Sequence, residues 1–447
     1  MSAHKNPGHK AWRRAGLMFG AVAAMTACSS LLDVANPNDV TESALDNPAA
    51  AANVTNGVLA ATARMLTGIT TPYAVATDEL DWIGSRDAWL ELETGGISNH
   101  FNEFSDQAFP FAAEARYVGD DAVKRLRAFD LAGTLTDRTN LARAFLYTAI
   151  VYASIADMYD DYAFSSKTTA AKPIGRAAMG TLYDKAIAYL DSAYTIANAG
   201  TTAAFTGIRY PILAYRARVK HAKAVWTSIT PKLAVGASRT LALVNDAGAN
   251  ADATAAIALG AVDQSYTIAN SVGSAAGISI WFEVTGRNEQ RKGTVYQTLL
   301  DPVTGALDIR VQALLAAFTA FGTQAGSFTI TSTRELRLIL AEAALATGNT
   351  AEVQNQINLV RARDAGRTAW GGVTPAPLAM LQHERQAQLW LMRRRLVDMY
   401  RFNLKDTKWV ANPNFESAFN VNGLLFPIPQ IERLGNPCVN NPTATGC

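Results

Sequence analysis

The sequence of 447 residues has only three cysteines, almost no net charge and none of the common catalytic motifs. Three cysteines without a CxxC pair are too few for a disulfide-rich scaffold and give no sign of a zinc site. The formal charge of +2 excludes a strongly basic surface of the kind that binds nucleic acid. No G-x-S-x-G, Walker-type, G-x-G-x-x-G or HExxH motif is present. Because 49% of the residues are hydrophobic, the chain can still bury a large core, and global disorder is excluded.

The first 27 residues have the pattern of an export signal. Residues 1–14 carry four Lys and Arg side chains and no acid, and residues 15–24 form a short apolar run. A basic segment, a short apolar run and small residues before a cut predict a secretory signal peptide. Cys28 follows Thr-Ala and resembles the acylated cysteine of bacterial lipoproteins, with an incidental cysteine after an ordinary signal peptide as the alternative. We expect residues 1–27 to be removed and residues 28–45 to form a lipid-anchored tether.

The other two cysteines lie close together near the C-terminus. Cys438 and Cys447 are separated by eight residues in a segment rich in Pro, Asn and Gly. In the oxidising compartment that an export signal implies, a small disulfide loop is expected, with free thiols as the alternative. Such a bond would hold the end of the chain in place.

Most of the remaining sequence has the periodicity of amphipathic helices. Apolar residues recur at spacings of three and four from residue 51, and the pattern predicts helical pairs that include 334–347 with 351–363, and a long helix over 378–402. The pairs resemble tetratricopeptide repeats without a strict 34-residue period. We therefore predict a mainly α, irregular tetratricopeptide-like scaffold forming one domain over 46–447. Loop-rich insertions are expected at about 67–110 and 228–333, with a strand-like run at 278–284.

Few residues suggest catalytic or metal chemistry. His100, His221 and His383 have no ligand-like spacing, so capping or surface roles are favoured and no metal site is predicted. The acids Asp78, Glu79 and Asp81 form a cluster, and two nearby carboxylates can hydrolyse glycosidic bonds. The sequence does not give the distance between them, and ordinary solvated acids are the more common explanation. A glycan-degrading envelope enzyme is therefore only a minor alternative.

Aromatic residues are dense in the two predicted insertions. A sugar ring offers a C–H face to an aromatic ring and hydroxyl groups to Arg, Asn or Asp. The alternative is that these aromatic residues pack the insertions against the scaffold. The candidate ligand-binding residues are Trp82, Arg86 and Trp89 in the first insertion, and Trp281, Arg287 and Tyr296 in the second.

Five stretches in the same order resemble the SusD/RagB family of outer-membrane nutrient-binding lipoproteins. They are residues 32–38 (LDVANPN), the segment Asp308-Ile309-Arg310, the hairpin with 334–343 (RELRLILAEA) and 357–363 (INLVRAR), the helix with Glu384, Arg385, Arg395, Asp398 and Arg401, and the end with 426–429 (FPIP) followed by two Asn-Pro pairs. Gln388, Met392 and Arg393 depart from the family pattern, and Arg393 stands where the family has glycine. The motifs are interpreted as residues that determine the fold through Arg–acid pairs and helix contacts.

The resemblance implies a non-catalytic protein without a cofactor. Members of the family bind oligosaccharides, or in some cases peptides, and deliver them to a TonB-dependent outer-membrane transporter. The resemblance therefore implies a lipid-anchored, surface-exposed protein of a Gram-negative bacterium, attached to the membrane by its lipid alone and without a nucleic-acid partner. The alternative from another class is a helical-repeat lipoprotein that organises protein complexes in the cell envelope.

Overall fold

The structure is a computed structural model that describes residues 42–166, 168–229, 243–270, 279–322, 326–443 and 446–447. The expected signal peptide and Cys28 lie outside the described residues. The chain divides into two units at Ala51, and the described part of the first is two short 3₁₀ helices, Glu42–Asp46 and Pro48–Ala50. Residues 51–447 form the second unit, which carries every element considered below.

The second unit is mainly helical, as predicted. The described residues of its first half form seven α-helices: α1 (Ala51–Val75), α2 (Asp87–Glu93), α3 (Glu103–Leu131), α4 (Thr139–Met158), α5 (Thr181–Ala199), α6 (Ala203–Ile229) and α7 (Ala247–Leu259). Its second half contains α8 (Thr294–Gln297), α9 (Ile309–Ala320), α10 (Thr333–Ala346), α11 (Thr350–Arg361), α12 (Pro377–Gln388), α13 (Arg395–Arg401), α14 (Gln430–Gly435) and α15 (Pro437–Asn440). Successive long helices pack side by side, which gives the helical-pair scaffold expected from the sequence.

Two small antiparallel sheets join segments that are distant in sequence. Strand β1 (Leu80–Trp82) pairs with β3 (Gln290–Lys292), and β2 (Ser265–Ala269) pairs with β4 (Ser327–Ser332). The loop-rich interpretation of 67–110 and 228–333 is therefore wrong in part. The first insertion includes the end of α1, β1, all of α2 and the start of α3, while the second contains helices and three of the strands.

The strand-like run at 278–284 is also a wrong prediction. Its described part enters a helical turn at Ile280 and continues as a π-helix over Phe282–Gly286. The Thr285 hydroxyl donates to the Trp281 carbonyl at 2.6 Å, and the Glu283 amide donates to the Ser279 carbonyl at 2.9 Å. Local hydrogen bonds of this kind satisfy the backbone without a partner strand.

The helix predicted over 378–402 is interrupted between α12 and α13. Leu391 and Arg393 both have φ of 59°, in the left-handed region that ends a right-handed helix. The Leu391 amide donates to Glu79 Oε1 at 2.6 Å, so a side chain from the first insertion binds the backbone at the break. The periodicity continues across the break because residues on both sides are buried, which is why the sequence pattern predicts one helix.

Helix α4 is the one described helix that is long and apolar enough to cross a membrane, with a mean hydropathy of 1.2. However, 94% of this segment is buried inside the fold, where α1, α3 and α5 pack against it. Its composition is that of a central core helix.

The C-terminal segment is closed by a disulfide bond between Cys438 and Cys447, whose Cα atoms are 5.5 Å apart. Cys438 is buried at the start of α15, where its amide donates to the Asn436 side chain at 3.0 Å. The disulfide therefore attaches the last residues to an ordered helix.

Candidate functional site

The pairing of β1 with β3 brings the two insertions together. Trp82 lies opposite Gln290, and the Ile83 amide donates to the Glu289 carbonyl at 3.0 Å, which extends the pairing by one residue. The Trp82 amide donates in turn to Glu93 Oε1 at 2.9 Å and so fixes α2 beside the strand. Three of the six candidate residues, Trp82, Arg86 and Arg287, consequently lie in the same region.

Glu289 organises the turn that follows β1. Its carboxylate accepts hydrogen bonds from the Ser85 amide and hydroxyl, both at 3.0 Å, and from the Arg86 amide at 3.2 Å. Burial raises the pKa of Glu289, but these hydrogen bonds outweigh it and hold the pKa below its usual value. Gly84 packs so closely on Glu289 that a Cβ atom there would collide with it. The position of Arg86 is therefore fixed by a charged residue from the second insertion.

We define the junction surface by Trp82, Ile83, Arg86 and Arg287, the residues beside the β1–β3 pairing that reach solvent. Ile83 is 47% exposed, and Trp82 and Arg86 are half-buried. Arg287 is exposed, and its Nη1 lies 3.2 Å from Glu283 Oε1. Arg86 pairs with Glu103 and lies over the Phe104 ring, 4.4 Å from its centre. These residues offer apolar surface and guanidinium donors in one region, which is the chemistry that suits a sugar ring.

Trp82 offers carbon surface to a ligand. Its Nε1 atom is buried and has no hydrogen-bond partner among the described residues. The part of the indole ring that a ligand can reach is therefore apolar, and the hydrogen bonds to hydroxyl groups must come from Arg86 and Arg287. The sequence alone indicated these three residues but missed Ile83, Ser85 and Glu289, whose roles depend on the β1–β3 pairing.

Trp89 is not at this surface. It is 0% exposed, and its ring stacks on Phe104 with the ring centres 3.3 Å apart and 10° between the planes. A residue without exposed area cannot contact a ligand in this conformation. Its candidate role as a ligand-binding residue is therefore corrected to a packing role behind Arg86, which was the stated alternative.

Trp281 and Tyr296 are likewise part of the core. Trp281 is 4% exposed and packs against Phe318 and Phe328, with ring centres 5.8 and 5.1 Å away. Tyr296 is 1% exposed, and its ring centre lies 6.0 Å from that of Trp390. Both residues connect the second insertion to the scaffold, so their candidate ligand-binding role is also corrected.

Asp78, Glu79 and Asp81, the acids of the glycosidase hypothesis, bind other residues of the fold. Both oxygens of Asp78 bind Arg395, at 2.7 and 2.5 Å. Asp81 binds Lys408 at 2.8 Å and the Thr294 amide at 2.9 Å. All three acids, including Glu79, are buried. The arrangement leaves no pair of free carboxylates facing a cleft, so the glycosidase hypothesis is wrong for these residues.

Glu79 gives a clear pH prediction. Burial raises its pKa from 4.5 to about 8, so the folded protein keeps Glu79 protonated at neutral pH. From about pH 4.5 to 8 the folded state binds one more proton than the unfolded state, and stability falls by up to about 1.4 kcal/mol per pH unit.

Glu79→Gln keeps the Oε1 acceptor for the Leu391 amide but does not titrate. Urea denaturation should find this variant more stable than wild type at pH 8, with the difference shrinking towards pH 5. A difference that stays constant over this range would contradict the raised pKa.

The family-like motifs form a buried ion-pair network, as the sequence interpretation expected. Arg361 binds Asp301 at 2.7 Å and Glu384 at 2.8 Å. Arg367 binds the other oxygen of Glu384 at 2.8 Å and also binds Asp308. These residues join α9, α11 and α12 and the loops beside them, so they hold the C-terminal helices in position.

One cluster in this network has metal-ligand residue types. Asp301, Asp308 and His383 place one ligand atom each within 4.8 Å of one another. Arg361 and Arg367 already neutralise the two aspartates, and His383 Nε2 lies 2.8 Å from Asp308. The contacts account for the cluster without an ion. His383 and His221 are both partners of buried acids, which departs from the surface or capping roles expected for them.

The comparisons with known proteins agree with this architecture. The family model described as "SusD family" matches residues 325–433, which include the hairpin and the ion-pair network. No curated protein matches the sequence. Solved structures with the same fold extend over most of the chain, and many of them are SusD-like. The fold therefore defines a mainly helical, SusD-like scaffold. Residues 325–433 are similar to the SusD family, and the fold of the described chain is SusD-like.

Three solved structures illustrate the likeness. A SusD-like carbohydrate binding protein from Bacteroides vulgatus has 12% identity and a TM-score of 0.57, and covers 88% of this chain and 97% of its own. A SusD superfamily protein from Bacteroides fragilis has 16% identity, a TM-score of 0.56 and coverages of 88% and 99%. One from Bacteroides thetaiotaomicron has 13% identity, a TM-score of 0.53 and coverages of 87% and 96%. At these identities the likeness defines the fold. The glycan-binding proteins of the SusD family are non-catalytic. This agrees with the buried positions of Asp78, Glu79 and Asp81 and with their contacts to other residues of the fold.

Proposed function

We propose that the protein binds oligosaccharides at the cell surface through the junction surface and delivers them to a TonB-dependent outer-membrane transporter. The observation that carries the proposal is the β1–β3 pairing, which brings the segment with the half-buried Trp82 and Arg86 to the segment with Arg287. The other candidate aromatic residues are buried, so they do not compete as contact residues.

The chemistry of the junction surface supports a neutral sugar as ligand. Arg86 is paired with Glu103, and Arg287 contacts Glu283, so neither guanidinium presents an uncompensated charge. A paired guanidinium can still donate its remaining N–H groups to hydroxyl oxygens. Trp82 and Ile83 add apolar surface for the C–H face of the ring.

Further support comes from the family and from the N-terminus. One structure with this fold is described as a carbohydrate binding protein. The lipoprotein-like Cys28 would place the domain at the membrane by acyl chains alone, since each buried CH₂ contributes about 0.8 kcal/mol. A tethered binder on the outer membrane is the arrangement that delivery to a transporter requires.

A binding screen tests the ligand class. The purified protein is run on affinity gels that contain neutral polysaccharides, and peptides are tested separately by calorimetry. We expect at least one polysaccharide to retard the protein and Arg287→Ala to weaken that retardation. Arg127→Ala, which removes an exposed arginine from α3, serves as the matched control and should bind like wild type. Binding to peptides alone, or to none of these ligands, would contradict the oligosaccharide proposal.

The transporter partner needs a separate experiment. We expect a TonB-dependent transporter to co-purify with the tagged protein from detergent-solubilised outer membranes, and Cys28→Ala to shift the protein to the soluble fraction. Recovery of other envelope proteins without a transporter would favour the alternative, a scaffold that organises protein complexes.

A further inference from the structure

A cavity rich in arginine lies inside the scaffold, away from the junction surface. It has a volume of about 50 Å³, which is room for a small ion or a few water molecules, and is lined by residues from α4, α5, α6, α10, α12 and α13. None of the residues of the junction surface lines it. The side chains at its edge include Ala222, Trp226 and Val397, which are partly exposed, so solvent reaches the cavity there.

Positive charge exceeds negative charge among the lining residues. The acids that line the cavity already bind arginines: Asp157 binds Arg218, Glu335 binds Arg394, and Asp398 binds both Arg385 and Arg401. Glu342, behind the wall, also binds Arg401. The fifth lining arginine, Arg393, makes no ion pair with any carboxylate in the described part of the chain.

Arg393 is therefore an uncompensated buried charge. It is 6% exposed, and its hydrogen bond to the Thr70 hydroxyl is long, at 3.3 Å. Burial, together with Arg394 and Arg218 nearby, lowers the pKa of Arg393 to about 10, so it stays charged at neutral pH. Its backbone has φ of 59°, a conformation that favours glycine. Neither the local backbone nor ion pairing accounts for arginine at this position.

Other donors in the cavity also have no partner. Arg218 is 3% exposed, and its Nε and Nη1 atoms make no hydrogen bond within the described residues. The same holds for Nη1 of Arg385. A buried guanidinium with unsatisfied donors is costly unless a water molecule or an anion binds it. Carboxylate, sulfate and phosphate oxygens are the acceptors that match guanidinium geometry.

We propose that this cavity binds a small oxyanion, a carboxylate, sulfate or phosphate group, through Arg393, Arg218 and Arg385. The anion supplies the negative charge that the described lining residues lack and accepts the free N–H groups. The ligand is either a free ion or the acidic group of a sugar small enough to pass the edge beside Trp226.

Calorimetry on the full-length purified protein tests the proposal, with sodium sulfate titrated at constant ionic strength in sodium chloride. We expect saturable binding at one site and an affinity at least tenfold lower in Arg393→Met. Arg393→Gly, which suits the φ of 59°, should show the same loss while remaining folded. Arg127→Met, an exposed arginine on α3, is the matched control and should bind sulfate like wild type.

Competition identifies the source of the oxyanion. Displacement of sulfate by glucuronate, but not by glucose, would show that acidic sugars reach the site, whereas displacement by acetate and phosphate alone would indicate a free ion. Crystals grown with selenate should show an anomalous peak beside Arg393 and Arg218. Absence of that peak, or an equal sulfate response in wild type and Arg393→Gly, would overturn the proposal and leave a cavity filled by water. Binding of neutral glycans is measured in parallel. A protein that binds a neutral glycan but no sulfate would contradict the oxyanion site alone and not the junction surface as the glycan site.

Discussion

Glu342→Ala is expected to lower the free energy of unfolding by about 3–5 kcal/mol, since the buried Arg401 loses one of its two carboxylate partners. Glu342 is completely buried on α10, binds two nitrogens of Arg401 and lies 3.0 Å from His221 Nε2. Its Oε1 also accepts from the Val244 amide at 3.1 Å. One substitution therefore removes contacts that join α6, α10 and α13.

Glu114→Ala is the matched control for this prediction. Glu114 is also a helical glutamate paired with an arginine, Arg64, at 3.1 Å, but its side chain is 44% exposed. An exposed pair of this kind contributes about 0–1 kcal/mol. Urea denaturation followed by circular dichroism measures both variants. Equal losses of stability would contradict the structural role assigned to the buried network.

Trp89→Ala is expected to destabilise the protein by about 3–5 kcal/mol, as is usual when a buried aromatic side chain is truncated. Its ring fills the space beside Phe104, and no part of it is exposed. Trp82→Ala should cost clearly less, because part of Trp82 is already in solvent. Thermal unfolding of the two variants under the same conditions compares them directly.

The same pair of variants separates packing from ligand contact. If Trp89→Ala retained full stability and lost glycan binding, Trp89 would be a contact residue and the position of the junction surface would be wrong. If Trp82→Ala unfolded more readily than Trp89→Ala, the exposed position of Trp82 would be wrong.

The helical scaffold could be predicted from the sequence because its signals are local. Apolar spacing of three and four is repeated along α4, α5, α10 and α11, and caps such as Asn349, whose side chain accepts from the Glu352 amide, mark helix ends. The arginine–acid pairs followed from the family-like motifs, and the structure joins the expected residues, such as Arg385 with Asp398.

The candidate site was harder to predict because burial depends on distant contacts. Trp82 and Trp89 are seven positions apart in similar surroundings, and only the pairing of β1 with β3 and the position of Phe104 make one half-exposed and the other buried. Periodicity also gave no warning of the break at Leu391 and Arg393, since Glu79, which binds that break, lies in the first insertion.

The most direct test of the account compares glycan binding by Trp82→Ala and Trp226→Ala. Trp226 is also partly exposed but lies on α6, outside the junction surface. On the neutral polysaccharide that retards wild type, Trp82→Ala should bind at least about tenfold more weakly, corresponding to about 1.4 kcal/mol, while Trp226→Ala binds like wild type. Unchanged binding in a folded Trp82→Ala variant, or an equal loss in both variants, would contradict the assignment of the junction surface as the glycan site.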